Sequence, residues 1–401
     1  MTAGNPALPP CDPVGLPEQP IPIWHGEFAA DPHAAYLELR RRHGELAPVE
    51  IAPGVAAILV LDRDVAQQIL FEDERYPVEP GVWERGVTRT CPVRSLFGGR
   101  PDALRSDGVA HTRYRGAVTD ALKDIDQFAL GRSSRDTAKD LINTFCHRGT
   151  ADLLHEFAIP VTSAVVGEML GLPPTSAQQA FAATTALYDS SDPGTAHQVL
   201  IEAMQEAIQQ PQPGPSVIST LMRHPARLSE HEAAHALAML YSLGTELTWC
   251  LISLTLLTAM TENPEDGGLS IRDLIDETLF TDPPMATTGP RFARQMQLMH
   301  KHEIQPHVPV LISLAACNRS VAGDTTGNRS HLGWGAGRHA CPAQPQALII
   351  AEQAVGELLD ALPDIKLAIP ADQLPWRPTP FRRALQSLPA TFRPAPLLPP
   401  T

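Results

Sequence analysis

The sequence predicts a mainly α-helical fold with a small β region. Apolar runs dominate the chain, and Pro-rich turns such as 171–174 and 211–215 separate them, as is typical of helices joined by short loops. The β-branched stretch 55–61 is short and suits a strand of a minor sheet. With 401 residues, of which 43% are hydrophobic, the chain can bury a sizeable core without disulfides.

Composition disfavours several classes of partner. Lys and Arg number 31 against 45 Asp and Glu, a net charge of −14, which disfavours binding to nucleic acid or to an anionic membrane surface. The six cysteines include no C-x-x-C pair, so we expect reduced thiols. The first residues lack the basic and apolar regions of a signal peptide. We therefore expect a cytoplasmic protein without a nucleic-acid or membrane partner.

Proline content marks the ends of the predicted folded part. Seven prolines fall within the first 22 residues, and the end of the chain is also Pro-rich. Such segments favour extended or disordered backbone. We predict an N-terminal Pro-rich arm over 1–21, a single domain over 22–392 and a Pro-rich tail over 393–401.

The first prominent helix is predicted over 229–261. It opens with a capping box, in which Ser229 is followed three residues later by Glu232, and continues with residues that are apolar nearly all round. Glu246 interrupts the apolar run, and the charge-free remainder, 247–261, is shorter than the roughly 18 residues that a membrane span needs. We therefore place this helix in the core of the protein.

The second prominent helix, predicted over 346–362, follows a glycine-rich loop that ends in a cysteine. The loop, 331–341, has glycines that allow a tight turn and a close approach to other backbone. A thiolate is the form of cysteine that ligates metals, and we expect the following helix, Arg338 and His339 to lower the pKa of Cys341. The alternative interpretation is a small buried thiol without a chemical role.

This loop resembles the haem-binding loop of the cytochromes P450. Trp334-Gly335-x-Gly337-x-His339-x-Cys341 is similar to the family pattern Phe-Gly-x-Gly-x-His/Arg-x-Cys, with Trp in place of Phe. The resemblance implies that Cys341 is the thiolate ligand of a haem b iron and that the Trp334 ring lies beside the sulfur. It also implies the cytochrome P450 fold.

Other segments resemble the family in the same order along the chain. The stretch 107–115 is similar to the helix C signature Asp-Gly-x-x-His-x-x-x-Arg, in which His111 and Arg115 would contact one haem propionate. Their i, i+4 spacing places both side chains on one helix face. Arg291 follows the region similar to helix K and would contact the other propionate, and His339 is a further haem-binding residue by its motif. The remaining similar segments are 282–284, 316–319 and 376–389.

Helix K departs from the family. Most members carry Glu-x-x-Arg there, but this chain reads Glu277-Thr-Leu-Phe280 and resembles a subgroup of actinobacterial members that lack the arginine. If Glu277 is buried, it needs another cation, such as Arg319, or a proton. The segment 320–330, before the cysteine loop, is also shorter than is usual in the family. By the resemblance, both departures lie on the side of the molecule to which the electron donor binds.

The long helix departs from the family at the motif that serves oxygen activation. Members carry Ala/Gly-Gly-x-Glu/Asp-Thr, in which glycine loosens the helix and the acid and alcohol deliver protons. Here Gly244 and Glu246 keep the glycine and the acid, but Leu247 stands in place of the alcohol. Thr248 comes one residue late, about 100° around the helix, and Thr245 is the other hydroxyl nearby.

The resemblance implies a bacterial haem-thiolate monooxygenase that oxidises a small apolar molecule with dioxygen and electrons from a ferredoxin-type partner. Arg105, Arg113 and Arg338 would form a basic patch for an acidic donor. Two alternatives remain. One is a haem-binding protein with impaired turnover that serves as a partner or scaffold, and the other is a haem-thiolate enzyme that uses peroxide.

Overall fold

The computed structural model describes residues 20–189, 192–210, 214–261, 269–300, 302–321 and 328–399. Within them, α-helices predominate and three small sheets lie beside them, so the predicted mainly α fold with a small β region is confirmed. Most of the predicted N-terminal arm, residues 1–19, lies outside the described residues.

Many of the helices begin at a side chain that caps the first turn. Asp62 accepts bonds from the backbone N–H groups of Asp64 and Val65, and Asp126 accepts those of Phe128 and Ala129. The α-helices of the described residues are α1 (Gly26–Ala30), α2 (Pro32–His43), α3 (Arg63–Phe71), α4 (Gly81–Gly86), α5 (Arg94–Phe97), α6 (Gly108–Lys123), α7 (Gln127–Phe145), α8 (Ile159–Leu170), α9 (Pro174–Asp189), α10 (Pro193–Gln209), α11 (Val217–Arg223), α12 (Glu230–Thr261), α13 (Ile271–Thr281), α14 (Leu314–Arg319) and α15 (Gln344–Ala361). A π-helical turn, Leu154–Ala158, leads into α8.

The strands form one main sheet and two smaller ones. They are β1 (Ile21–Pro22), β2 (Leu46–Ala52), β3 (Val55–Val60), β4 (Thr150–Asp152), β5 (Arg291–Phe292), β6 (Gln297–Met299), β7 (His302–Ile304), β8 (Pro309–Ile312), β9 (Lys366–Leu367) and β10 (Pro389–Thr391). The main sheet has the order β1-β2-β3-β8-β5, and the smaller sheets are β4-β10-β9 and β6-β7. In the main sheet β3 runs parallel to β8, with Ile58 opposite Val310.

The central helix, α12, matches the helix predicted over 229–261. Its capping box is present, because the Ser229 N–H donates to Glu232 at 2.8 Å and the Glu232 N–H donates to the Ser229 hydroxyl at 3.2 Å. The helix is long and apolar enough to cross a membrane, but most of its apolar stretch is buried inside the protein. It contacts α8, α10, α13 and α15. Its apolar character therefore reflects a place in the core.

The C-terminal segment is extended and lies against α7. The Ala395 N–H donates to the Cys146 carbonyl at 2.9 Å, and Leu398 exchanges two bonds with the Asn143 side chain, at 2.7 and 3.2 Å. Ala395 and Leu398 also pack against the main hydrophobic core. The described part of the predicted tail is thus fixed to the helical body.

Candidate functional site

The cysteine loop turns tightly between α14 and α15. Gly335 and Gly337 adopt φ values of +70° and +68°, and the Cys341 N–H closes the turn by donating to the Trp334 carbonyl at 2.8 Å. A Cβ on Gly337 would lie only 2.2 Å from the Leu70 carbonyl oxygen of α3. Glycine at 337 is therefore required both by its backbone conformation and by the close approach of α3.

Cys341 lies just before α15, and its sulfur is not in a strongly activating environment. Burial raises the pKa of the Cys341 thiol, and the Ala343 N–H and the Arg115 guanidinium only partly oppose this rise. The expectation that Arg338 and His339 lower this pKa was wrong, because burial has the larger effect. A bound metal ion would be the additional charge that favours the thiolate.

The predicted propionate residues of α6 and the cysteine loop meet. The ring centroids of His111 and His339 are 4.3 Å apart, and Arg115 donates to the Ala340 carbonyl at 2.5 Å. Burial first, then the neighbouring His339 and Arg115, lowers the pKa of His111 to about 4. The buried Nε2 atom of His111 has no hydrogen-bond partner within the described residues. Such a cluster of donors and positive charge suits an anionic group.

Arg291 is connected to this cluster by Asp73, an acidic residue that the sequence did not indicate. Its guanidinium is buried, lies 2.8 Å from Asp73 Oδ1 and also donates to the Tyr76 carbonyl at 3.2 Å. Asp73 Oδ2 lies 3.9 Å from Arg338 and is near enough to His111 to influence its pKa. Arg291 therefore belongs to the cluster, but Asp73 already balances part of its charge.

One stripe of α12 is left uncovered by the core. Met239, Leu243, Gly244 and Leu247 are half-buried, whereas most of this helix is buried. The helix remains α-helical through Gly244, so the loosening that the family motif implies does not occur. A Cβ on Gly244 would meet Val166 of α8 at 3.6 Å. This glycine thus lies where α8 and α12 pack together.

The acid of the α12 motif is held in a buried ion pair. Arg382 Nη1 donates to Glu246 Oε1, and Trp249 Nε1 donates to Glu246 Oε2 at 3.1 Å. The Arg382 guanidinium also lies 4.2 Å from the centre of the Tyr188 ring. Both oxygens of Glu246 are therefore engaged by the protein.

The two hydroxyls predicted to assist Glu246 both belong to buried residues of α12. The Thr245 hydroxyl donates to the Tyr241 carbonyl, one turn back, at 2.7 Å. This bond is common for threonine within a helix and occupies the hydroxyl proton. Thr248 is buried on α12. Their predicted role in proton delivery remains a prediction.

The buried carboxylate of α13 is Asp276, while Glu277 is half-buried. Asp276 Oδ2 lies 3.1 Å from Arg272 and 2.8 Å from Arg329, which precedes the cysteine loop. Arg319, the cation expected to pair with Glu277, is exposed. The buried acid of this helix that pairs with arginines is thus Asp276, one residue before Glu277.

Phe280 occupies the place where the family carries arginine, and it is fully buried. Asn318 of α14 donates to the Leu279 and Phe280 carbonyls at 3.1 and 3.0 Å and accepts from the Leu332 N–H at 2.7 Å. One amide therefore joins the end of α13 to the cysteine loop. In this chain the connection is made by hydrogen bonds and packing around an aromatic side chain.

The site residues fit a haem with a cysteine ligand. The thiol, the histidine and arginine cluster and the uncovered α12 stripe supply a ligand, partners for propionates and an apolar surface. Two buried nitrogens, His111 Nε2 and Trp334 Nε1, have no hydrogen-bond partner within the described part of the chain. Other described residues also carry buried polar atoms without partners, but these two belong to predicted haem-binding residues, where a bound haem would offer partners.

The predicted basic patch for an electron donor is not formed as expected. Arg105 is mostly buried against Asp102, at 3.2 Å, and Arg113 pairs with Glu232 at 2.6 Å. Arg338 is the exposed member of the three. The prediction of a basic patch was wrong because Arg105 and Arg113 form ion pairs within the protein.

Several residues of the site carried no sequence signal strong enough to be singled out. Arg382 lies within the C-terminal segment that resembles the family, but its pairing with Glu246 bridges 136 positions of the chain. Asp73, Asp276 and Arg329 lie outside the motifs. The local hint was the pair of adjacent charges, Arg382 and Arg383, in the segment 376–389.

Known proteins resemble this chain along most of its length. No family model matches the chain. It is 27% identical over 392 residues to cytochrome P450 107B1 of Saccharopolyspora erythraea, covering 90% of this chain and 95% of that protein. It is 26% identical over 395 residues to the cytochrome P450 monooxygenase PikC of Streptomyces venezuelae, covering 92% of each. Among solved structures, CYP154A1 of Streptomyces coelicolor superposes with a TM-score of 0.82 at 23% identity, covering 93% of this chain and all of that one.

The relatives align along nearly the whole chain, and the solved structure shares its fold. The relatives are cytochromes P450, the family that the cysteine loop resembles. The chain is therefore an enzyme of the cytochrome P450 superfamily.

Proposed function

We propose that the enzyme is a haem-thiolate monooxygenase that inserts one oxygen atom of dioxygen into a small apolar molecule. Its electrons would come from a ferredoxin-type partner, in the cytoplasm. The observation that carries the proposal is the place of Cys341, directly before α15 and beside the cluster of His111, His339 and Arg115.

Each site residue has a role in this proposal. Cys341 would hold the iron of haem b, and His111, Arg115, Arg291 and His339 would hold the propionates. When bound, the haem supplies the activation of dioxygen. The half-buried α12 stripe would contact the substrate and exclude water.

Proton delivery is assigned to Glu246, assisted by Thr245 or Thr248. A carboxylate that accepts bonds from Arg382 and Trp249 is stabilised in its charged form and has both oxygens engaged. It takes up and passes on a proton only when one of these donors is exchanged for water or substrate. The proposal therefore requires that the Glu246 to Arg382 contact opens during the catalytic cycle.

A second candidate is a haem-binding protein with impaired turnover that serves as a partner for another protein. The buried Glu246 to Arg382 pair favours it, because a permanently paired acid does not move protons. The two candidates differ in turnover but share the haem and the Cys341 ligand.

The test is the carbon-monoxide difference spectrum of the reduced protein. We expect a Soret band at the red-shifted position typical of thiolate ligation, and we expect the Cys341→Ala variant to lose it. Cys317→Ala is the matched control, since Cys317 is a buried free thiol that bonds backbone carbonyls of residues 60 and 62. A wild-type spectrum without that band, or a band that survives in Cys341→Ala, would overturn the proposal.

A further inference from the structure

The half-buried α12 stripe continues beyond Met239 to a histidine. Between residues 233 and 250 of this helix, the residues that are not buried are His235, Met239, Leu243, Gly244 and Leu247. Four of them, His235, Met239, Leu243 and Leu247, follow one another at intervals of four residues, so they lie on one face of the helix. His235 therefore forms the N-terminal end of the stripe, about 18 Å from Leu247 along the helix axis.

Buried imidazole nitrogens without partners lie at this end of the stripe. The His235 ring is 5.8 Å from the ring of His197, on α10, and 4.6 Å from that of His231, one turn earlier on α12. Both ring nitrogens of His197 and Nδ1 of His235 are buried and have no hydrogen-bond partner among the described residues. A neutral imidazole has one donor and one acceptor nitrogen. The two neighbouring rings can therefore offer three nitrogens to a ligand.

The segment between α5 and α6 brings charged groups to these two rings. Burial is the largest of the causes that lower the pKa of His197 to about 3 and that of His235 to about 4. Arg100 and Arg105 lower both pKa values further, whereas Asp102 acts in the opposite direction on His235. Because Coulombic interactions weaken with distance, these three charged residues lie close to the rings.

Asp102 is already engaged by its own loop. Its Oδ2 atom lies 3.2 Å from Arg105, and its Oδ1 atom accepts the N–H groups of Leu104 and Arg105 at 2.9 and 3.0 Å. Arg105 also donates to the Leu96 carbonyl at 2.8 Å. Both oxygens of Asp102 are therefore used, and this carboxylate balances the charge of Arg105 rather than that of Arg100.

Arg100 is the cation of this group that has no carboxylate at ion-pair distance within the described residues. Its guanidinium donates to the Ser95 carbonyl. Glu84, the other acid near Arg100, lies 3.6 Å from Arg94. Burial, and then the neighbouring Arg105, lowers the pKa of Arg100 to about 9, so its charge is held at a cost that an anionic ligand would offset.

We propose that Arg100, His197 and His235 are specificity-determining residues, which bind the carboxylate of an elongated substrate while its apolar part lies along the α12 stripe. The inference rests on the proposed monooxygenase function and names its class of substrate. The carboxylate accepts hydrogen bonds from Arg100 and from an imidazole N–H, and it balances the charge that Asp102 does not. Gly244, the glycine of the family motif, lies nine residues from His235, about 14 Å along the helix axis. A substrate that spans both positions must therefore be long.

The test compares carboxylic acids with their uncharged amides. Isothermal titration calorimetry measures binding of 8-phenyloctanoate and decanoate, each beside its amide, to the full chain. We expect at least one acid to bind about 10- to 100-fold more tightly than its amide, as hydrogen bonds to charged groups allow. Acids that bind no better than their amides, or no measurable binding of either acid at 5 mM, would overturn the proposal.

A short acid tests the placement of the apolar part. Propionate carries the same carboxylate but is too short to lie along the α12 stripe, and we expect it to bind at least about 10-fold more weakly than the tighter long acid. Propionate that binds as tightly as the long acids would contradict the placement along the stripe.

Variants show whether the named residues cause the preference. We expect Arg100→Met to reduce the preference for acid over amide to within about twofold, and His197→Leu to reduce it by about threefold or more. A merely structural role would instead lower the affinities for acid and amide together. The matched controls are Arg393→Met, at an arginine that is 91% exposed, and His147→Leu, at an exposed histidine. Preference retained in Arg100→Met and His197→Leu, each shown to be folded by circular dichroism, or an equal loss for acid and amide, contradicts the assignment.

Calorimetry reports binding whether or not a thiolate-ligated haem forms. A failed carbon-monoxide spectrum with intact preference for acids would overturn the proposed function and leave an acid-binding protein. A normal spectrum without that preference would overturn only the substrate class.

Discussion

Arg329 Nε lies 2.8 Å from the buried Oδ2 atom of Asp276, and this pair ties the segment before the cysteine loop to α13. Arg272 reaches the same oxygen from one turn earlier, at 3.1 Å. The position where the family carries a helix K arginine holds Phe280 instead. The chain therefore keeps an ionic tie between α13 and the cysteine-loop region, made by different residues.

Asp276→Asn should weaken this tie. The substitution keeps the shape of the side chain but leaves two arginines beside a neutral amide, and we expect a loss of about 1–3 kcal/mol in the free energy of unfolding. Urea unfolding measures it. Asp360→Asn on the exposed side of α15 is the control, with an expected change within about 0.5 kcal/mol. Equal effects of the two substitutions would show that Asp276 does not hold the region together.

Phe280 should contribute to stability through packing. Its side chain is 1% exposed, so Phe280→Ala leaves a cavity at the end of α13 and should lower the free energy of unfolding by about 3–5 kcal/mol. Phe128→Ala, at a residue that is 83% exposed, should change it by about 0.5 kcal/mol or less. A small loss for Phe280→Ala would mean that the region collapses around the deletion or is loosely packed.

Replacing only one partner of the buried Glu246 to Arg382 pair should lower the free energy of unfolding strongly. Both side chains are only 7% exposed. Arg382→Met alone leaves an unpaired buried carboxylate and should destabilise the protein by about 3–5 kcal/mol. The double variant Arg382→Met/Glu246→Gln should be less destabilised than this single variant. A double-mutant cycle in urea measures the coupling, and additive effects would contradict the pairing.

The stability of the protein should fall as the pH is lowered from neutrality toward 4, in part because of His197. Burial, then Arg100 and His235, lowers the pKa of His197 to about 3. Below the ordinary histidine pKa of about 6.5, the unfolded chain takes up a proton that folded His197 does not. Protonation therefore stabilises the unfolded state relative to the folded state. His197→Asn should reduce the difference in stability between pH 7.5 and pH 5.0.

His147 provides the comparison for that measurement, because its side chain is exposed on the protein surface. His147→Asn should leave the pH dependence of unfolding as in the wild type. If His197→Asn also leaves it unchanged, the ring of His197 is hydrated or paired in solution.

The sequence was informative where structure is determined locally. The Ser229 and Glu232 capping box, the apolar run behind it and the glycines before Cys341 each act over a few residues, and the structure contains the predicted helices and turn. Family resemblance then marked His111 and His339 separately as haem-binding residues, and the structure brings their rings together. These elements depend on backbone propensity and short spacing, which a single sequence records.

The residues that the sequence did not reveal depend on contacts between distant segments. Arg382 and Glu246 belong to different elements, and so do Asp73 and Arg291. A charged residue that is destined for a buried pair has the same local appearance as one on the surface. The error over the basic patch has this origin, since Arg105 and Arg113 look like surface charges until their partners are known.

The order of strands in the main sheet affects how the chain reaches its fold. β3 and β8 are neighbours although Ile58 and Val310 lie about 250 residues apart along the chain. During synthesis on a ribosome, β3 is complete long before its partner emerges, so the sheet closes only when most of the chain is available. Pairing of such high sequence separation slows folding. Until then the apolar strand β3 has an open edge, which is where we expect a nascent or truncated chain to engage chaperones or to aggregate.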